Sequence, residues 1–335
     1  MSKNLFVSCM LLMLFCGCST AVIYDSEVAD ELTQKNKNNA AEMAQIIGNK
    51  QDALVVLDFF ELQKAMNDAE KFADDVKRFG FTAVGVPIDS VKYADLQQKE
   101  GKKLYNFVMS LNAKSLRVVY VLNETAFINR QRGNEFVFSN KNPYRDVILK
   151  LKEFWRELPE SAEMPTIVVA LGMNRWNDTN LDRPTGLVHV WRKENFGRGK
   201  SNDVMFAKSM KNFADCRSFL DLEQLILLVD EEVVLAGEQG LPGGGSLNDI
   251  LKKSDALSIN LAAETSDYAS RLGAVSKVKE QQSIFFVVSA SKNGSFTEFL
   301  SEFRKINDFA RKNQCSAGVW VCDWKKLNTI WRNEK

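Results

Sequence analysis

From residue 52 onward the chain alternates short, nearly unbroken apolar runs with longer segments whose apolar residues recur every three or four positions. The runs fall at residues 53–57, 82–88, 116–122, 166–171, 225–229, 256–261, 283–289 and 317–321. They are rich in Val, Ile and Leu, and almost no position is polar. That is the signature of strands covered on both faces, as in a parallel sheet under helices. Between them, 62–79 places Ala65, Ala69, Phe72, Ala73, Val76 and Phe79 on one helical stripe. Residues 144–158 repeat it with Val147, Ile148, Leu151 and Phe154, and 296–310 with Phe299, Leu300, Phe303 and Ile306. Weaker helical patterns lie at 91–111, 203–219, 247–252, 266–279 and 325–331.

Strand–helix alternation favours parallel pairing through crossover helices. Eight such units over residues 52–335 match an α/β fold of one kind, a closed (β/α)8 TIM-type barrel. An open doubly wound sheet would want a glycine-rich phosphate turn after its first strand, and Asp58-Phe59-Phe60-Glu61 stands there without a glycine. In the barrel reading, strand 317–321 pairs with strand 53–57.

Residues 1–17 form a separate unit. Lys3 precedes an apolar run from Leu5 to Phe15 that is too short to span a bilayer, and a small residue and a cysteine follow. The ending Phe15-Cys16-Gly17-Cys18 resembles a bacterial lipobox. The resemblance implies cleavage after Gly17, acylation of Cys18 (palmitate among the chains) and lipid anchoring in the cell envelope. Ser19, where Asp would signal retention, implies the outer membrane if the source is Gram-negative. Each buried acyl CH₂ contributes ~0.8 kcal/mol, so two or three chains hold a soluble domain firmly. Residues 18–51 are polar and read as a lipid-anchored tether with a short helix at 40–47.

Composition narrows the chemistry. Cleavage after Gly17 removes one lysine and no acid, leaving 43 basic and 43 acidic side chains. A net charge of zero argues against a nucleic-acid partner, which usually needs a basic surface. His189 is the only histidine, which leaves little for a zinc site or a histidine-based triad, and no cofactor-binding motif is present. Cys216, Cys315 and Cys322 read by default as buried thiols; the strand between the last two spans ~23 Å, beyond disulfide reach, while a pairing of either with Cys216 stays open.

Barrel enzymes gather their chemistry at the C-terminal ends of the strands. Those ends carry Asp58, Phe59 and Glu61; Asp89; Asn123 and Glu124; Asn174, Trp176 and Asp178; Asp230, Glu231 and Glu232; Asn260 and Glu264; Ser291 and Lys292; and Asp323 and Trp324, with Trp191 on the long connection 173–202. Carboxylates and amides bond sugar hydroxyls, and indole faces cover the C–H faces of pyranose rings. Glu231, Glu124 and Asp323 are the candidate catalytic acids, since glycoside hydrolysis needs two carboxylates. Asp58, Asn174, Trp176, Trp191, Asp230 and Trp324 are the candidate sugar contacts. Asp58 could equally cap the following helix, and Trp324 could equally be a core lid.

In architecture, residues 52–335 resemble the barrel-fold glycoside hydrolases. The resemblance implies carbohydrate as ligand or substrate. The chain departs from those families where it matters for catalysis: strands four and seven end without the glutamates that many retaining barrels place there, and the acidic strand motif of chitinase-like barrels is absent. Three functions therefore remain: a carbohydrate-active hydrolase, a binding lipoprotein for a glycan or another envelope component, and a hard-cation enzyme with Asp58, Asp230 and Asp323 as oxygen ligands.

Overall fold

The structure is a computed structural model that describes residues 34, 37–48, 53–123, 129–131, 135–137, 142–159, 165–171, 210–230, 252–261, 283–312 and 318–333. Eight parallel strands close into a barrel: β1 (Leu54–Val56), β2 (Ala83–Ile88), β3 (Arg117–Asn123), β6 (Thr166–Leu171), β7 (Gln224–Asp230), β8 (Ala256–Asn260), β9 (Ser283–Ser289) and β10 (Gly318–Cys322). A two-stranded antiparallel hairpin, β4 (Asn129–Gln131) with β5 (Glu135–Val137), follows β3. Strand β10 pairs with β1, Leu54 opposite Trp320 and Val55 opposite Val321, so the first and last strands close the ring as the sequence pattern requires. All eight barrel strands sit within a residue of the apolar runs at each end.

Alternation along each strand separates two cores. Leu54, Val56, Val119, Val121, Val168, Ile226, Leu228, Phe285, Val287 and Trp320 fill the barrel. The Phe285 and Trp320 rings, 4.6 Å apart, form its bulkiest layer. Val55, Val84, Val86, Ile167, Leu225, Leu227, Phe286 and Val321 face outward under the helices. The interior is tight on the β2 side, where a Cβ added to Gly85 would lie 3.1 Å from Val56 Cγ1.

Helix α1, over residues 37–47, packs Ala40, Met43 and Ile47 into the outer core. It crosses the turn at Gly80, whose φ of +84° closes a Schellman-type end with Gly80 N–H on Lys77 O and Phe81 N–H on Val76 O. A Cβ at Gly80 would lie 2.8 Å from Ala44 Cα, so both the backbone angle and the helix above require glycine.

Two helices read as continuous are each split. The stripe over 62–79 is α2 (Phe59–Ala65) and α3 (Ala69–Arg78). Asn67 N–H and Asp68 N–H bond three residues back, to Lys64 O and Ala65 O, and Phe72 N–H starts afresh on Asp68 O. The periodicity survives the break because both pieces lie on the barrel. Likewise 91–111 is α4 (Val91–Ala94) and α5 (Lys99–Ala113), parted at Asp95, whose Oδ1 accepts from Gln97 N–H at 3.0 Å. The remaining long helices, α6 (Arg145–Arg156), α7 (Phe296–Lys312) and α8 (Trp324–Asn333), follow their stripes. Of 203–219, the described part is helical from 210 to 215 and ends in a 3-10 turn, Cys216–Ser218; the patterns at 247–252 and 266–279 lie outside or at the margin of the described residues. Cys216 and Cys322 are buried free thiols, and Cys315 lies outside the described residues.

Ser258 sits in the middle of β8 between Leu228 and Phe285, wholly buried, and its hydroxyl has no hydrogen-bond partner among the described residues. An unsatisfied buried hydroxyl costs roughly 1–3 kcal/mol. Ser258→Ala is therefore expected to leave stability unchanged or raise it by about 1 kcal/mol, read as the midpoint of urea unfolding. A loss of more than about 1 kcal/mol would show that the hydroxyl has a partner in solution.

Candidate functional site

The C-terminal mouth of the barrel is built where β9, β10 and β1 meet. Helix α2 begins at Phe59 because Asp58 and Glu61 form a capping box: Asp58 Oδ1 accepts Glu61 N–H at 2.6 Å, and Glu61 Oε2 accepts Asp58 N–H at 2.9 Å. The second Glu61 oxygen, Oε1, accepts Lys325 N–H at 2.6 Å, in the first turn of α8. One carboxylate thus serves the N-termini of the first and last helices of the barrel units.

Asp323 occupies the turn from β10 into α8 at φ +62°, left-handed backbone that costs a non-glycine residue energy. Its carbonyl accepts Leu327 N–H, starting α8, while its carboxylate turns to the mouth and accepts the Ser289 hydroxyl through Oδ2. Because that carboxylate faces Ser289, the cap on Lys325 falls to Glu61. Ser289 Oγ also accepts Ser291 N–H at 3.2 Å and lies 2.6 Å from Ser291 Oγ. Asn123, Asn260 and Ser289 end β3, β8 and β9 as buried polar residues above the apolar filling.

Burial sets the acidities. It pushes Glu61, 6 % exposed, up to about 7, against two backbone N–H bonds that lower it; the Asp58 and Asp323 carboxylates add to the rise. Burial also raises Asp58, with Asp323 contributing and the backbone bonds opposing. Asp89, just past β2, is raised by burial and partly offset by Lys92, and its Oδ1 has no hydrogen-bond partner among the described residues.

The sequence-derived candidates divide as follows. Asp58 and Asp323 both lie at the mouth, near enough for their charges to interact, Asp58 as a helix cap. Trp324 corrects the expectation of a sugar-facing wall. It is 7 % exposed, with its ring edge-on to Phe72 and Phe79 at 5.6 Å in the layer outside the barrel. Asp230 ends β7 in register with Asn260, and its side chain lies outside the described residues. Glu124, Asn174, Trp176, Trp191, Glu231 and Cys18 lie outside them entirely. Among the described residues no group of three or more His, Cys, Asp or Glu side chains is arranged to hold a metal ion. A cavity of about 590 Å³ lined by Leu96, Lys102, Tyr105, Asn106 and Glu157 lies in the helical layer at α5.

Ser289 escaped the rim residues read from the sequence, and Glu61 was among them without a role. Glu61 was readable in part, since Asp-x-x-Glu before an apolar stripe marks a capping box. Ser289 reads as an ordinary strand end, and only the approach of Asp323 gives it a role.

No family model matches the chain, and no curated protein matches it significantly. Among solved structures it is similar to a GH5-4 broad specificity endoglucanase from an uncultured bacterium, at 12% identity over 79% of this chain and 77% of that one, with a TM-score of 0.43. It is also similar to a thermostable mutant of a xylanase from Cellvibrio japonicus, at 10% identity over 84% and 88%, TM-score 0.47. A protein assigned to the deoxyribose-phosphate aldolases, from Toxoplasma gondii ME49, aligns at 12% identity over 88% and 95%, TM-score 0.40. The barrel assignment stands on the chain's own closed strand order.

Glu61 makes the mouth sensitive to pH. Its folded-state value of about 7 exceeds the ordinary 4.5, so between the two the unfolded chain has released a proton that the folded chain still holds. Its contribution is complete below about 4.5 and is lost as pH rises through about 7. The unfolding free energy of the wild type minus that of Glu61→Gln should therefore fall by about 3 kcal/mol across that window, measured by urea melts at stepped pH. A difference that grows with pH contradicts this.

Proposed function

We propose that this chain is a bacterial envelope lipoprotein, anchored through acyl chains on Cys18, whose barrel acts on or binds carbohydrate at its C-terminal mouth. The observation that carries the carbohydrate reading is the set of polar groups at the strand ends: Asn123, Asn260, Ser289 and Asp323 over an apolar floor. Amide and carboxylate groups arranged this way bond several hydroxyls of one ligand at once. Two glutamates sit next to the mouth along the chain. Glu124 follows Asn123, the last residue of β3, and Glu231 follows Asp230, the last of β7. Hydrolysis would use Glu231 as the proton-transfer group, with Glu124 or Asp323 as the second carboxylate.

Support for the anchor comes from Gly17-Cys18 after the apolar run. Among the described residues no helix is long and apolar enough to cross a membrane, and attachment in this reading rests on the lipid alone. Mass spectrometry of the mature N-terminus is expected to find a diacylated or triacylated Cys18. A free amine at Ala21 or beyond, with release into the soluble fraction, would refute the anchor.

The mature protein in detergent is expected to bind oligosaccharides from a neutral glycan panel in calorimetry. If it also turns over aryl glycosides or polysaccharides, Glu231→Gln should lower turnover at least 100-fold with ligand affinity retained, and chelator should have no effect. Turnover unchanged in Glu231→Gln removes that residue from the mechanism; ligand binding without turnover identifies a binding protein; turnover lost to chelator identifies the cation-dependent enzyme.

A further inference from the structure

The hydrogen bonds at the mouth fix which way each hydroxyl proton points. Asp323 Oδ2 accepts from Ser289, which commits the single Ser289 proton to the carboxylate. Ser289 Oγ is then an acceptor toward its other neighbours. It takes Ser291 N–H at 3.2 Å, and in the 2.6 Å contact with Ser291 Oγ the proton must come from Ser291. The chain therefore runs one way, from Ser291 to Ser289 to Asp323. Its outer member, Ser291, is exposed in the 3-10 turn Ala290–Lys292 that follows β9, with its proton directed inward and its lone pairs without a donor among the described residues.

We propose that Ser291 is an acceptor-only contact of the mouth, so that this side of the site takes neutral sugar hydroxyls and rejects sugars bearing carboxylates. The inference rests on the carbohydrate reading above and sharpens it to a ligand class. A ligand hydroxyl can donate to Ser291 Oγ. A carboxylate cannot, and it would also meet the Asp323 carboxylate, which Ser289 links to Ser291. Ser291 and Ser289 are binding and positioning groups respectively: Ser291 meets the ligand, and Ser289 acts through the orientation it imposes on Ser291.

The test uses the full mature chain and two probes, a neutral β-glucan oligosaccharide and its counterpart oxidised at C6 to the glucuronate. The wild type should bind the neutral probe at least tenfold more tightly. Ser291→Ala, a change at an exposed position, should weaken the neutral probe about five- to tenfold and leave the oxidised one unaffected. Ser289→Ala frees the Ser291 proton to point outward, so the preference should collapse to about threefold or less while the neutral probe still binds. Equal affinity of the two probes for the wild type, or a preference unchanged in Ser291→Ala, overturns the proposal and leaves carbohydrate binding standing. Binding of neither probe, nor of any member of the neutral panel, removes the carbohydrate reading and this inference with it.

Discussion

A barrel holds only if its last strand finds its first, and in this chain that seam is the thinnest in the sheet. Strands β1 and β10 share two register pairs, whereas β2 and β3 share six. The fold compensates outside the sheet. Trp324 and Trp331 of α8 lie against Phe79, and Trp324 also against Phe72, joining the last helix to α3. Asp75 of α3, 5 % exposed, pairs with Arg78 at 2.9 Å and reaches Arg332 of α8 at 3.5 Å. Glu61 adds the polar link, accepting N–H groups from both helix N-termini that flank the seam.

That link carries a cost. A carboxylate this deep is disfavoured by burial, and the two N–H bonds and the positive ends of two helices only partly offset it. A neutral residue would avoid the penalty, yet a glutamine could accept with one side-chain atom only and would present a donor to the other N–H. Two acceptor oxygens on one short side chain meet the geometric demand, and the raised acidity constant follows from it.

The seam also shapes the mouth. Closing β10 onto β1 brings Asp323 near enough to Asp58 for their charges to interact and sets its carboxylate on Ser289, across 34 residues of chain. The strained backbone at Asp323 is what allows a strand end to start α8 with its carbonyl while its side chain serves the rim. Ser115, the other non-glycine residue at positive φ among those described, has a local cause: it follows α5 in a Schellman-type end, with Leu116 N–H on Leu111 O. Asp323 has no such local cause, and its conformation is held by tertiary partners.

The barrel itself was legible in the residues. Strands buried on both faces are apolar at nearly every position, so runs such as Ile284–Val288 announce themselves without any partner being known. Helical stripes were legible too, but the breaks at Met66–Asp68 and Asp95–Gln98 were not, because a helix that restarts on the same barrel keeps its apolar period. The roles of Trp324 and Glu61 were beyond the sequence for a different reason. A tryptophan after a strand is equally suited to a ligand or a core, and only Phe72 and Phe79, some 250 positions away, settle it. Glu61 reads as a local cap, and its bond to Lys325 spans 264 residues. Local periodicity and burial determine which segments are strands and helices. Which side chains share the mouth depends on ring closure, and that is decided only when the two ends of the barrel meet.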